Sequence, residues 1–158
     1  MMVAGGGLRS GKTFAGAVRD AIYMIKYLGT RGMVIGLSER NLAAGYLDDL
    51  FMAFNAMGMQ EGIHWEQNKM LGEIRVIPTG SKLFLRTSEN IKVSVGATLG
   101  FLHIDEPDTM PESVIVDLLP RLTQKNVPLQ VVITGTPGPP DHWLRKYSDP
   151  FNYSLEYP

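Results

Sequence analysis

The sequence predicts an α/β protein in which a mainly parallel sheet carries helices on both faces and includes a small β-hairpin insertion. Short apolar runs bounded by turn residues occur at residues 33–37, 101–104 and 129–134, and such runs are typical of buried parallel strands. Segments with helical periodicity lie between them, and a glycine-rich loop joins the first apolar segment to the first helix. Strands that alternate with helices in this way favour a parallel sheet that is covered on both sides.

The composition limits the classes of protein that fit. The chain has 158 residues, 44% of them hydrophobic and 20% charged, which predicts one globular domain over residues 1–158. The net charge of -1 supplies no general excess of cations for nucleic-acid phosphates, so any such contact needs a local patch or several subunits. Cysteine is absent, which excludes disulfides and thiolate metal sites. We find no membrane-spanning segment or signal peptide in the sequence, so we expect neither membrane insertion nor secretion.

The first half of the chain carries two amphipathic helical patterns and a hairpin. Apolar residues recur every three or four positions over residues 12–28, and Gly29 ends this helix. Ser38 suits the N-cap of a second helix, whose apolar stripe extends to residue 57. Residues 73–77 and 82–87 have strand character, and the Pro-Thr-Gly-Ser turn between them predicts a hairpin.

The second half returns to strands that alternate with helices. After the apolar run at residues 101–104, Pro111 suits the first turn of a helix and Pro120 ends it. A further buried strand is predicted at residues 129–134. A short helix at residues 141–147 and a last strand at residues 151–157 complete the predicted elements.

The loop before the first helix matches the pattern G-x-x-x-x-G-K-[ST] at every defined position. Its residues are Gly6, Gly7, Leu8, Arg9, Ser10, Gly11, Lys12 and Thr13. Glycines allow the backbone to turn its N–H groups inward around an anion, and the following helix points its positive dipole end at the same place. In this pattern the lysine contacts the β- and γ-phosphates, and the hydroxyl of the last residue ligates Mg²⁺. The sequence therefore predicts a P-loop NTPase that binds ATP and Mg²⁺.

Two adjacent carboxylates, Asp105 and Glu106, follow the apolar run at residues 101–104. The carboxyl end of a parallel strand is where ligands bind in open α/β sheets. We expect Asp105 to hold Mg²⁺ through a water molecule and Glu106 to act as the general base for the attacking water. An isolated Asp-Glu pair is more often a solvated helix start, so the prediction depends on the P-loop. A glutamate directly after the aspartate favours the additional-strand branch of P-loop ATPases.

The strand predicted at residues 129–134 ends in the polar segment Thr134, Gly135 and Thr136. In motor ATPases a polar group at this position senses the γ-phosphate and couples hydrolysis to movement. Either threonine hydroxyl fits that role. The alternative interpretation is a turn that leaves a core strand and has no function.

An arginine that neutralises the transition state is a further expectation for an ATPase that works as a ring. Arg121, in the segment Leu-Pro-Arg-Leu, is the first candidate, with Arg40 and Arg86 behind it. For each of them a solvated surface arginine is the alternative interpretation.

Several segments follow one another in a characteristic order: GGGLRSGKT, TGSKLFLR, FLHIDEPDTMPE, LLPRL and ITGTPGPPDHW. In this order they resemble the ATPase domain of bacteriophage large terminase subunits, and the resemblance covers about residues 3–147. It implies an ATP-hydrolysing motor that drives double-stranded DNA into a capsid, with residues 134–136 as the coupling segment. It also implies a homo-oligomeric ring, expected to be a pentamer, with portal and small terminase proteins as partners in the cytoplasm of the infected bacterial host. Large terminases continue into a nuclease domain, and we expect none within residues 1–158.

Two other functions fit the P-loop. One is a different P-loop ATPase, helicase-like or a kinase, although the segment after Pro120 is short and poor in arginine for a kinase lid. The other is a non-catalytic module that docks on a partner, because few residues precede the loop to hold an adenine base. Titration with an ATP analogue and a direct assay of phosphoryl transfer distinguish the three.

Overall fold

The computed structural model describes residues 11–91, 98–136, 139 and 141–148, together with the backbone of residues 2–5. The strands are β1 (Met2–Gly5), β2 (Arg31–Gly36), β3 (Trp65–Asn68), β4 (Glu73–Val76), β5 (Ser81–Thr87), β6 (Phe101–Asp105) and β7 (Gln130–Gly135). The α-helices are α1 (Lys12–Lys26), α2 (Glu39–Asn41), α3 (Asp48–Ala56), α4 (Ser113–Leu118) and α5 (Leu144–Ser148). A π-helical segment (Leu42–Leu47) joins α2 to α3, and 3₁₀ turns cover Pro107–Thr109 and Leu119–Arg121.

The strands form a seven-stranded sheet in the order β1-β7-β6-β2-β5-β4-β3. Strands β1, β7, β6, β2 and β5 are each parallel to their neighbours in this order. Strand β4 pairs antiparallel with β5 on one side and with β3 on the other. Strand β7 lies between the strand before the phosphate loop and the strand that carries the acidic pair, as in the additional-strand type. The predicted fold class and its hairpin insertion are thereby confirmed.

Helices cover both faces of the parallel part of the sheet. On one face α1 and α3 bury Ala17, Met24 and Phe54 against strand residues such as Val34 and Leu83. Each of these side chains is fully buried, so truncation of one of the larger side chains to alanine costs roughly 2–5 kcal/mol.

The opposite face is covered by the shorter helices α4 and α5. They bury Val114, Leu118 and Leu144 against Met33 and Ile104 of the sheet. Parallel strands that are apolar on both sides are the expected consequence of this double cover. None of the helices in the described residues has the length and apolar character needed to cross a membrane.

Two details differ from the sequence-based expectations, and one prediction is not tested. The helix that Ser38 caps, through an N–H···O bond of 3.1 Å from Asn41, is interrupted by the π-helical segment instead of running evenly. Strand β3 was not predicted, because only Trp65 of its residues is buried and its sequence does not alternate apolar with polar. The strand predicted at residues 151–157 lies outside the described residues.

Candidate active site

A cleft of about 540 Å³ lies at the carboxyl end of the parallel strands. The start of α1 and the end of β6 form one side of it, and the segment that follows β2 forms the other. The cleft is lined by Gly11, Lys12, Thr13, Phe14, Gly36, Leu37, Asn41, Leu42, Ala44, Gly45, Asp49, Asp105 and Glu106. Ligands of open α/β sheets bind at this edge, so the lysine, the threonine and both predicted carboxylates face one candidate site.

Thr13 and Asp105 are 92 residues apart in sequence and in direct contact in the structure. The Thr13 hydroxyl donates to Oδ1 of Asp105 at 3.1 Å. Asp105 pairs with Thr134 of β7 across the sheet, and the Thr134 hydroxyl donates to the same Oδ1 at 2.6 Å. One carboxylate oxygen therefore accepts two hydroxyl donors at the floor of the cleft.

Glu106 has an uncommon backbone conformation. Its φ of 51° lies in the left-handed region, which costs a residue with a β-carbon about 1–3 kcal/mol and is often found at functional sites. Its N–H donates to the Thr134 carbonyl at 2.7 Å, and its Oε2 accepts the N–H of Thr136 at 3.2 Å. The side chain is thus anchored to the end of β7 at the rim of the cleft.

Gly135 makes this close approach possible. A β-carbon at this position would lie 2.6 Å from Cδ of Pro107 and 3.3 Å from Cα of Glu106. The absence of a side chain therefore allows the end of β7 to lie directly against the acidic pair. The three residues predicted for coupling, Thr134, Gly135 and Thr136, all contact or adjoin this pair.

A chain of buried polar side chains continues inward from Thr134. Its hydroxyl lies 2.8 Å from Nε2 of His103, and Nδ1 of the same ring lies 2.6 Å from Oδ2 of Asp20. Tyr46 donates to Oδ2 at 2.8 Å and Arg19 donates to Oδ1 at 2.7 Å. Asp20 and His103 are completely buried, and buried polar groups are stable only when they are paired in this way.

The protonation states of Asp20 and Tyr46 are set by their surroundings. Burial raises the pKa of Asp20, but the neighbouring His103 and Arg19 outweigh burial and hold the pKa below its ordinary value. Burial, followed by the nearby Asp20 carboxylate, raises the pKa of Tyr46 well above its ordinary value. Asp20 is therefore an ionised acceptor and Tyr46 a neutral donor.

Neither Asp20 nor His103 stood out in the sequence. Arg19-Asp20 has the composition of a solvated helix face, and His103 lies inside an apolar strand. The signal that identifies Asp20 is its spacing, because it lies three residues after Ala17 and four before Met24 on the buried stripe of α1. A carboxylate on an apolar stripe predicts a buried partner.

Gly16 brings α1 close to His103. A β-carbon at Gly16 would lie 2.5 Å from Cε1 and 2.9 Å from Nε2 of the imidazole. We expect Gly16→Ala to lower the free energy of unfolding by about 1–3 kcal/mol, because the ring must leave its hydrogen bonds or the helix must move outward. Urea denaturation measures this change. Gly45→Ala is the matched control: its β-carbon meets nothing within 4 Å, so a loss of similar size there would contradict the steric explanation.

The wall of the cleft opposite the start of α1 contains the π-helical segment Leu42–Leu47. π-helical turns inside longer helices are rare, and those that occur often lie at functional sites. This wall also carries Asn41 and Asp49. Burial, together with Asp105 and Asp48, raises the pKa of Asp49, so Asp49 experiences the negative charge of the acidic site.

None of the three predicted arginines, all of them within the described residues, lines the cleft. The Arg121 carbonyl accepts the N–H of Leu99 at 2.8 Å, which puts Arg121 beside the amino end of β6, away from the cleft at its carboxyl end. Arg86 donates to the carbonyls of Leu71, Gly72 and Leu85 and is thus part of the hairpin. Arg40 is exposed on α2 next to the cleft wall. Of the predicted phosphate loop, Gly6, Gly7, Leu8, Arg9 and Ser10 lie outside the described residues.

Solved structures of phage large terminases are similar to this fold. The large terminase of a thermophilic bacteriophage, in its second crystal form, superposes with a TM-score of 0.79 at 18% identity, over 93% of this chain and 37% of that one. The Thermus phage P74-26 large terminase ATPase domain gives 0.68 at 16% identity, over 92% and 62% of the two chains. This chain has the fold of a large terminase ATPase domain. The large terminase of bacteriophage HK97 agrees, with a TM-score of 0.68 at 15% identity over 86% and 29%.

The similarity to terminase ATPase domains is structural. No protein-family model matches the sequence, and no curated protein matches it. The chain spans less than two thirds of the length of the first two of these terminase chains. The first of them, from the thermophilic bacteriophage, has also been solved with ADP and with ATP-gamma-S, and each of these structures superposes with a TM-score of 0.76.

Proposed function

We propose that the chain binds Mg-ATP in the cleft and hydrolyses it as the motor domain of a large terminase that drives double-stranded DNA into a capsid. The contact between the Thr13 hydroxyl and the Asp105 carboxylate at the start of α1 carries this proposal. The contact joins the last residue of the P-loop pattern to an acid at the end of a strand. In P-loop NTPases these two positions hold the magnesium ion of the nucleotide.

The start of α1 provides the phosphate site. Gly11 has a left-handed φ of 76° before the helix begins at Lys12, so the chain turns sharply and leaves the first N–H groups of α1 directed outward. These groups and the positive end of the helix dipole attract phosphate oxygens. Lys12 lines the cleft and would contact the β- and γ-phosphates, while residues 6–10 would supply further backbone N–H groups.

The donor set at the floor of the cleft fits magnesium. The Thr13 hydroxyl and the Asp105 carboxylate are hard oxygen ligands, and Mg²⁺ in proteins is commonly held by one or two such groups together with water and substrate phosphates. Thr13 would ligate the ion directly and Asp105 through a water molecule. When bound, the ion neutralises charge on the β- and γ-phosphates during transfer.

The activation of water is assigned to Glu106 in this proposal. Its carboxylate lies at the rim of the cleft and is held by the N–H of Thr136. In the proposed reaction the oxygen of a water molecule forms a bond to the γ-phosphorus, and the bond from that phosphorus to the bridging β–γ oxygen breaks. The proton of the water passes to Glu106, and the products are ADP and inorganic phosphate.

Assembly would complete the site. Arg121 lies beside the amino end of β6, so we propose that it acts on the site of a neighbouring subunit in a ring, expected to be a pentamer. Thr134, Gly135 and Thr136 would couple hydrolysis to movement, because they contact or adjoin both acids. Double-stranded DNA, portal and small terminase proteins are the proposed partners, in the cytoplasm of the infected bacterial host.

Nucleotide binding tests the proposal most directly. We expect an ATP analogue with Mg²⁺ to bind the wild type in calorimetry, and we expect Lys12→Ala to raise Kd by about ten- to one-hundred-fold, because a charge-assisted contact is lost. Lys26→Ala is the matched control: Lys26 is an exposed lysine in the last turn of the same helix and should leave Kd unchanged. Failure of the wild type to bind at millimolar nucleotide would refute the proposal.

A further inference from the structure

The buried polar chain begins and ends on the same helix. Thr13 of α1 contacts Asp105, Asp105 contacts Thr134, and Thr134 contacts His103. His103 in turn contacts Asp20 of α1. The contacts therefore form a ring that ties α1 to β6 and β7 directly beneath the proposed magnesium site.

The number of available hydrogens determines the direction of the hydrogen bond between Thr134 and His103. A threonine hydroxyl has one hydrogen, and Thr134 donates it to Asp105 at 2.6 Å. In the 2.8 Å contact between the Thr134 oxygen and Nε2 of His103, the hydrogen must then come from the imidazole. His103 therefore keeps the oxygen of Thr134 occupied as an acceptor, which leaves the Thr134 hydrogen directed at Asp105.

The position of the imidazole is itself determined on all sides. Nδ1 lies 2.6 Å from the Asp20 carboxylate, the ring of Tyr46 packs edge-on at a centroid distance of 5.3 Å, and the backbone of Gly16 leaves no room for a β-carbon. His103 is completely buried. An imidazole confined in this way can hold a neighbour in one orientation without help from solvent.

We propose that His103, held by Asp20, is a positioning residue for the magnesium site and acts through the Thr134 hydroxyl. This inference rests on the proposed function. With Oδ1 fixed by two hydroxyl donors, the Asp105 carboxylate is preorganised and loses less rotational freedom when magnesium binds. Partners behind metal-site residues commonly change metal affinity by about 10–100-fold when they are removed.

Two conservative replacements of His103 separate its two contacts. In His103→Gln the side-chain amide reaches the place of Nε2, so the donor to Thr134 is kept. In His103→Asn the amide reaches only the place of Nδ1, so the contact with Asp20 is kept and the donor to Thr134 is lost. Calorimetry with an ATP analogue at increasing Mg²⁺ concentration gives the concentration at half-saturation for each folded variant.

We expect His103→Asn to raise the Mg²⁺ concentration at half-saturation by about 10–100-fold. Binding of the analogue without Mg²⁺ should stay as in the wild type. His103→Gln should restore most of the Mg²⁺ affinity. Tyr46→Phe is the matched structural control, because it removes a bond to Asp20 without touching Thr134. It should lower stability and leave the Mg²⁺ requirement unchanged.

A double-mutant cycle tests whether the effect passes through Thr134. Once Thr134→Val is present, adding His103→Asn should cause no further change in the Mg²⁺ requirement, because coupled groups are not additive. Additive effects, or equal effects of the Asn, Gln and Tyr46→Phe variants, would overturn the positioning role. A wild type that binds no magnesium nucleotide would instead refute the proposed function, and the inference with it.

Discussion

Replacement of Glu106 by glutamine is expected to lower the rate of ATP hydrolysis by about 10²–10⁴-fold, the usual contribution of a general base. Glutamine keeps the length of the side chain and can still accept the Thr136 N–H that Glu106 accepts at 3.2 Å. The left-handed backbone at this position is unchanged by the substitution. The variant therefore removes proton transfer while the geometry of the rim is retained.

The steady-state release of phosphate measures this effect, with calorimetry of the same variant as the companion measurement. Binding of Mg-ATP should stay close to that of the wild type, since Lys12, Thr13 and Asp105 are untouched. Glu112→Gln is the matched control: Glu112 pairs with Lys146 at 2.9 Å outside the cleft, so hydrolysis should not change. Turnover of Glu106→Gln near the wild-type rate would remove Glu106 from the catalytic role.

The layout of the sheet and the acidic end of the cleft could be predicted from local sequence. The phosphate-loop pattern fixes a strand, a tight turn and a helix in order, and the acids at the end of an apolar run fix a second strand end. Parallel strands bring their carboxyl ends to one edge, so contact between Thr13 and Asp105 follows from topology. The adjacent glutamate also predicted the additional strand, and β7 lies at that position.

The support behind the acids was not predicted, because it depends on tertiary contacts between distant positions. Periodicity identifies which side of α1 is buried but not that Asp20 meets an imidazole 83 residues away. His103 interrupts an apolar strand, which indicates a buried polar partner without naming it. The π-helical segment was not predicted either, because the apolar residues that recur three and four positions apart over residues 43–57 fit an ordinary α-helix.

Loss of the Asp20 charge is expected to lower the free energy of unfolding strongly. Asp20→Asn keeps the shape of the side chain but leaves Arg19 and His103 without their buried anion, and removal of one partner from a buried pair costs about 3–5 kcal/mol. Chemical denaturation at neutral pH measures the loss. Glu66→Gln is the control, since its pair with Arg75 at 3.5 Å is exposed and such pairs contribute about 0–1 kcal/mol.

The pH dependence of this difference identifies the charge as its cause. Burial raises the pKa of Asp20, and His103 and Arg19 lower it further than burial raises it, so the folded value lies below the ordinary 3.8. A carboxyl whose pKa is depressed by folding stabilises the protein fully above its unfolded pKa and loses that contribution as the pH falls through its folded pKa. The gap in unfolding free energy between wild type and Asp20→Asn should therefore shrink as the pH falls below about 4. A gap that stays constant into that acidic range would show that shape or packing, and not the ionised carboxylate, holds α1 to β6.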